Sequence, residues 1–248
     1  MRGAALAALA LAALAGGAAS ARAASGPPVP ILTYHHIAAP APDARLPALW
    51  MSPAAFAAHV RALRRAGYRA VTLGRVWDAW NAGRPLPRRP VVLSFDDGYA
   101  DQVRRALPAL RRARWPGVLN LALDFLPGMG GRTAVRRLLA AGWEIGSHSL
   151  THADLTALTP TAMRTELAGS RARIRRLFGV PASFFAYPYG HVSPAVVAAV
   201  RRAGYLAAAT TRMGYATPRD RFRLARVQVS RGLTAADLLR RVRALRPG

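Results

Sequence analysis

Four residues of this sequence could hold or serve a metal ion: the adjacent aspartates Asp96 and Asp97, and the histidines His148 and His152, spaced four apart. Two imidazole nitrogens and one carboxylate oxygen suit a divalent cation such as Zn²⁺. Three protein ligands leave positions open for water and substrate, as in a catalytic site. With Asp97 as the carboxylate ligand, Asp96 beside it is placed to act as general base, because a hydrolase must take a proton from the water its metal activates. Each half also has a plainer reading: Asp-Asp-Gly is often only a turn, and His-x-x-x-His is often two surface residues on one helical face. Their shared position joins the two halves. Val91–Phe95 and Trp143–Ser147 are short apolar runs that read as β-strands, so both pairs follow a strand end.

The elements that must position these residues alternate along the chain. Candidate strands lie near 30–34, 69–73, 91–95, 117–122, 143–147, 183–187, 205–209 and 223–229, with helices in most of the gaps. Ser52-Pro53, Thr159-Pro160 and Ser193-Pro194 read as helix starts, a hydroxyl cap followed by proline at the first helical position. Gly67, Gly142 and Gly204, each followed by an aromatic residue, read as helix ends leading into a strand. Seven or eight such units fit an α/β barrel, whose chemistry gathers at the C-terminal ends of its strands. His35 and Tyr189 also fall just after predicted strands, so residues far apart in sequence are expected at one mouth. His148 and His152 are expected on one face of the turn that leaves their strand.

These residues resemble a known family. Leu93–Tyr99, Ser147–His152 and Phe185–Gly190 are similar to the first three motifs of the polysaccharide deacetylases, carbohydrate esterases with a NodB-like domain, and the resemblance runs from about Pro30 to Arg226. Within that family the chain resembles the poly-N-acetylglucosamine deacetylases of biofilm formation, through Tyr34-His35 and the Arg84–Pro87 segment. The resemblance implies a distorted, incomplete (β/α) barrel and a divalent metal, Zn²⁺, on Asp97, His148 and His152. It also implies Asp96 as base and His35 as the acid that protonates the leaving amine. The backbone of Tyr189, flanked by Pro188 and Gly190, would stabilise the oxyanion and meet the substrate. If the strand persists, His36 faces away from His35; a carboxylate partner would raise the pKa of the acid histidine. One departure stands out: many family members carry an arginine where this chain has Ala186. Arg226 could replace it from a neighbouring strand, or could simply be solvated. The family's downstream Asp-Trp signature is not evident in residues 205–230.

The remainder bounds the reading. The 248 residues show no linker and are read as one deacetylase domain over 24–248, after an Ala/Leu-rich stretch at 1–23 that reads as a secretory signal ending in a small-x-small site. Left uncleaved, that stretch would tether the protein to a membrane. Absence of cysteine excludes disulfides and thiolate ligands. All 36 basic residues are arginine, against 11 acidic ones, a formal charge of +25. No aromatic-interleaved basic motif points to nucleic acid, so anionic wall polymers or lipid head groups are the expected polyanionic contacts. His59 reads as a surface or partly buried side chain, His191 as flanking the cleft, Asp101 as a helix-start residue and Asp154 as a turn cap; Tyr187 and Trp115 either stack on sugar or fill the core. The expected activity is export followed by N-deacetylation of a β-linked N-acetylglucosamine polymer, poly-β-1,6-N-acetylglucosamine first, peptidoglycan or chitin next. A noncatalytic wall-binding module is the rival from another class.

Overall fold

The computed structural model describes residues 25–247, so the stretch read as a signal and its boundary lie outside the described residues. Eight strands form where the apolar runs predict them: β1 (Ile31–Tyr34), β2 (Arg69–Ala70), β3 (Pro90–Asp97), β4 (Val118–Leu121), β5 (Glu144–Ser147), β6 (Phe184–Ala186), β7 (Ala207–Met213) and β8 (Leu224–Gln228). All named strand pairings are parallel. β1 pairs with both β8 and β3, which closes a ring of seven strands, while the two-residue β2 lies outside it against β3. The ring is thus one strand short of eight, and the register between β7 and β8 is irregular.

Strand alternation sorts the side chains into two sets. Leu93 and Phe95 point outward and pack with Phe56 and Leu63 of the helix Pro53–Arg65. Val92 points inward and packs with Ile31, Val118 and Phe184. Two and four residues further along the same inner column come Ser94 and Asp96, so the interior turns polar as β3 approaches its C-terminal end. Asn120 of β4 and Arg226 of β8 belong to that polar layer: both are buried, and both bond Asp96.

The hydroxyl caps form as expected. Ser52, Thr159 and Ser193 accept from the backbone N–H of Ala55, Ala162 and Val196. Each helix returns the chain from the C-terminal rim to the opposite pole, so helix C-termini gather there. Arg64-Arg65, Arg111-Arg112, Arg175-Arg176 and Arg201-Arg202 occupy four of those last turns.

Candidate active site

At the C-terminal rim, Asp97 leaves the ladder with φ 75°, a left-handed conformation that aspartate tolerates better than most residues. The turn that follows needs glycine: a Cβ on Gly98, at φ 108°, would lie 2.8 Å from Leu121. Asp97 is thereby swung out of the inner column toward His148 and His152. Its Oδ1 stands 3.4 Å from His148 Nε2 and 3.3 Å from His152 Nε2.

Both histidines are held from behind. His148 Nδ1 donates to the carbonyl of Ala186 at 2.8 Å, which leaves Nε2 free to face Asp97. The residue standing where the arginine was expected therefore orients a histidine through its backbone. His152 does not reach the site by helical spacing, contrary to expectation: residues 148–152 form an irregular loop, with Ser149 at φ 73° and His152 at φ 63°. Glu166 pins that loop. Its carboxylate accepts from the N–H of Leu150 at 2.9 Å, the N–H of Thr151 at 3.0 Å and the Thr151 hydroxyl at 2.9 Å.

The three ligand atoms of Asp97, His148 and His152 lie within 4.8 Å of one another. Asp97 Oδ1 is buried without a hydrogen-bond partner. Burial opposes its charge, but the rings of His152, His148 and His35 outweigh that and hold the carboxyl well below the usual range. Burial also lowers the pKa of His148 despite both aspartates, favouring the neutral ring that a metal requires. An unsatisfied carboxylate oxygen facing two imidazole Nε2 atoms fits a divalent cation.

Asp96 sits one layer deeper. Its Oδ1 accepts from Asn120 Nδ2 at 2.8 Å and from Arg226 Nη1 at 2.9 Å; the same guanidinium nitrogen is 2.9 Å from Oδ2. Arg226 is 1% exposed, so its solvated reading is corrected: it is the cation that Asp96 lacks at position 186. Burial would raise the Asp96 carboxyl, but Arg226 first, then His148 and His35, keep it below its ordinary range and ionised. Oδ2 remains open toward His35 Nε2, 3.9 Å away. His35 departs from expectation in its acidity: desolvation outweighs both carboxylates and lowers its pKa.

His36 faces away, stacked between Trp50 and Tyr99 at 3.6 and 3.5 Å, with Nδ1 2.8 Å from Asp101. Asp101 stands at the start of its helix as expected, where its carboxylate accepts from the Ile37 N–H at 2.9 Å and makes no side-chain cap bond. His59 is fully buried, contacting Tyr34 Oη at 3.3 Å and the Leu233 carbonyl at 2.8 Å, not a surface residue. Tyr187 and Trp115 fill the core. His191 and Asp154 pair at 2.7 Å on the flank, and Asp154 caps Thr156. Tyr189, 56% exposed at φ 59°, overlooks His152 with ring centroids 4.7 Å apart. Pro188 is buried beneath it, and Gly190 has no room for a Cβ, which would lie 2.1 Å from Thr211 Oγ1.

The family described as polysaccharide deacetylase is matched over residues 83–208, and the chain belongs to it. It is therefore a hydrolase of the class that acts on amide bonds. A Bacillus subtilis protein provisionally named as a polysaccharide deacetylase, YxkH, is 27% identical over 84% of this chain and 74% of its own length. The Escherichia coli poly-beta-1,6-N-acetyl-D-glucosamine N-deacetylase is 43% identical over 23% of this chain, a match spanning 8% of that protein. Among solved structures, IcaB from Ammonifex degensii superposes with TM-score 0.74 at 25% identity, over 88% of this chain and 98% of that one. The Streptococcus pyogenes deacetylase PplD, solved with acetate, shares the fold at TM-score 0.80 and 22% identity, over 90% and 100% of the two chains.

Proposed function

We propose that this protein is an exported Zn²⁺-dependent deacetylase that removes N-acetyl groups from poly-β-1,6-N-acetylglucosamine. The observation that carries the reading is the orphaned Asp97 Oδ1 between two histidines, with a second, ionised carboxylate at the next residue. Asp97, His148 and His152 would hold the ion, which when bound would supply Lewis-acid activation of the acetamide carbonyl and of the attacking water. Asp96 takes the proton of that water on Oδ2, the oxygen not bonded to Asn120. His35 Nε2, across from the same oxygen, delivers a proton to the departing nitrogen. As the carbon–nitrogen bond breaks and the new carbon–oxygen bond forms, the products are acetate and a free amine. The backbone N–H of Tyr189 supplies a donor where negative charge develops on the carbonyl oxygen, in a turn that buried Pro188 and Gly190 hold, the latter with its own N–H donated to the Tyr187 carbonyl at 2.9 Å.

The choice of polymer rests on Tyr34-His35, on the Arg84–Pro87 segment and on the name of one relative, the Escherichia coli enzyme. Export rests on residues 1–23. Acetate release from a panel of poly-β-1,6-N-acetylglucosamine, chitin and peptidoglycan tests the reading. The first should be turned over fastest; preference for peptidoglycan would reassign the substrate, and no release from any polymer would favour a binding module.

A further inference from the structure

We propose that the pole of the barrel opposite the active site is a docking surface for an anionic phospholipid bilayer, on which the protein stands with its catalytic mouth turned away. The parallel topology biases charge along the barrel axis, with Glu144 at the start of β5 and Asp220 just before β8 set among the arginines of the far pole. Asp96, Asp97, Asp101, Asp154 and Glu166 lie on the mouth side, while the exposed arginine pairs that end four helices lie on the other. Arginine in a last helical turn complements the helix dipole, which accounts for those pairs without any ligand.

It does not account for the cleft on this pole beside the starts of β1 and β3. This opening of about 550 Å³ is walled by Arg88, Arg89, Arg243 and Arg246, with Tyr68 and Tyr215 between them and no acidic residue. Arg88 and Arg89 precede β3 in a loop, and Arg246 follows the last helix, Ala235–Ala244. None of the four forms an ion pair among the described residues. Guanidinium forks match phosphate oxygens; the two tyrosines form the cleft's apolar lining, both buried, with the Tyr215 hydroxyl donating to the Val242 carbonyl at 2.8 Å.

A bilayer is favoured over a soluble polyanion by where the chain enters. Ser25 N–H donates to the Trp80 carbonyl at 3.0 Å, and Pro27, Pro28 and Pro30 line the same cleft. Just upstream the sequence carries Ala4–Ala15, alanine and leucine without a charge, which left uncleaved would tether the chain to the same bilayer. No helix among the described residues is long and apolar enough to cross a membrane, so the contact they make is peripheral.

The test is sedimentation of the full chain with vesicles of phosphatidylcholine alone or phosphatidylcholine with phosphatidylglycerol, comparing two variants matched in charge. Changing Arg88, Arg89, Arg243 and Arg246 together to Gln should lower binding to the anionic vesicles on the order of tenfold or more. The same change at Arg45, Arg104, Arg105 and Arg132, on the mouth half, should lower it far less. Equal losses would reduce the effect to net charge and overturn the proposal. So would equal binding to neutral and anionic vesicles, or cleft-dependent binding to a short DNA duplex without binding to vesicles. Should the cleft variant melt early, Arg243→Gln/Arg246→Gln supplies the same comparison.

Discussion

Arg226 Nη1 lies 2.9 Å from both oxygens of Asp96, and neither residue is more than 2% exposed. The pair joins β8 to β3 across the inside of the ring. Removing one partner strands a charge in the interior, typically at a cost of about 3–5 kcal/mol. Arg226→Ala is expected to lower the unfolding free energy by that order, and Asp96→Asn in the same chain to recover part of it. Chemical denaturation of the two singles and the double measures this; a double variant less stable than Arg226→Ala would contradict it.

The same contact sets a pH dependence. Arg226 is the main influence holding the Asp96 carboxyl down, so replacing it raises that pKa. Because the base acts ionised, the acid limb of the pH–rate profile should move to higher pH in Arg226→Gln. An acid limb that stays in place would separate Arg226 from the base.

Glu166 is expected to matter through His152. Its three hydrogen bonds hold the loop in a conformation that no helix dictates. Glu166→Ala should weaken zinc binding about 10- to 100-fold, the usual scale for partners behind the ligands, with the melting curve in the absence of metal shifted much less. Unchanged zinc affinity by titration would remove Glu166 from the account.

How much of this was legible in the sequence follows from the kind of signal each part leaves. Strands announced themselves as apolar runs closed by turn residues, and helix starts by Ser-Pro and Thr-Pro, since both signals are local. Arg226 was ambiguous because an arginine between Ala225 and Val227 reads equally as an outward side chain; only closure of the ring brings β8 near Asp96. Asn120 was missed, although one amide inside Val118–Leu121 was a signal that could have been weighed. The loop at His152 was misread because positive φ at non-glycine residues has no sequence mark. Burial, which reverses the expected acidity of His35, depends on the whole fold.

Away from the site, Glu144 at the start of β5 has its carboxyl pushed up to about 7 by burial, although it accepts from Gly74 N–H at 2.8 Å. Folded protein therefore holds this proton more tightly than unfolded protein. Its contribution is present in full below about pH 4.5, the unfolded value, and is lost as pH rises through about 7, a decline on the order of 2–3 kcal/mol. Glu144→Gln should flatten that part of the stability–pH curve and gain stability above pH 7. Melting temperatures across this range test it, and an unaltered slope would contradict it.

His35 and His36 should separate by leaving group. His35→Ala is expected to slow hydrolysis of an amide by about 10²–10⁴ while sparing an activated aryl ester, whose leaving group needs no proton. His36→Ala should show no such selectivity, since its ring faces Asp101. Equal losses on both substrates in His35→Ala would exclude it as the acid.

The proposed site binds one catalytic ion on Asp97, His148 and His152. Its most direct test is acetate release from poly-β-1,6-N-acetylglucosamine by chelator-stripped protein titrated with Zn²⁺. Activity should be absent at the start and rise to a plateau at one equivalent per chain, and His148→Ala should show neither the rise nor tight zinc binding. Full activity in the stripped protein would contradict the account.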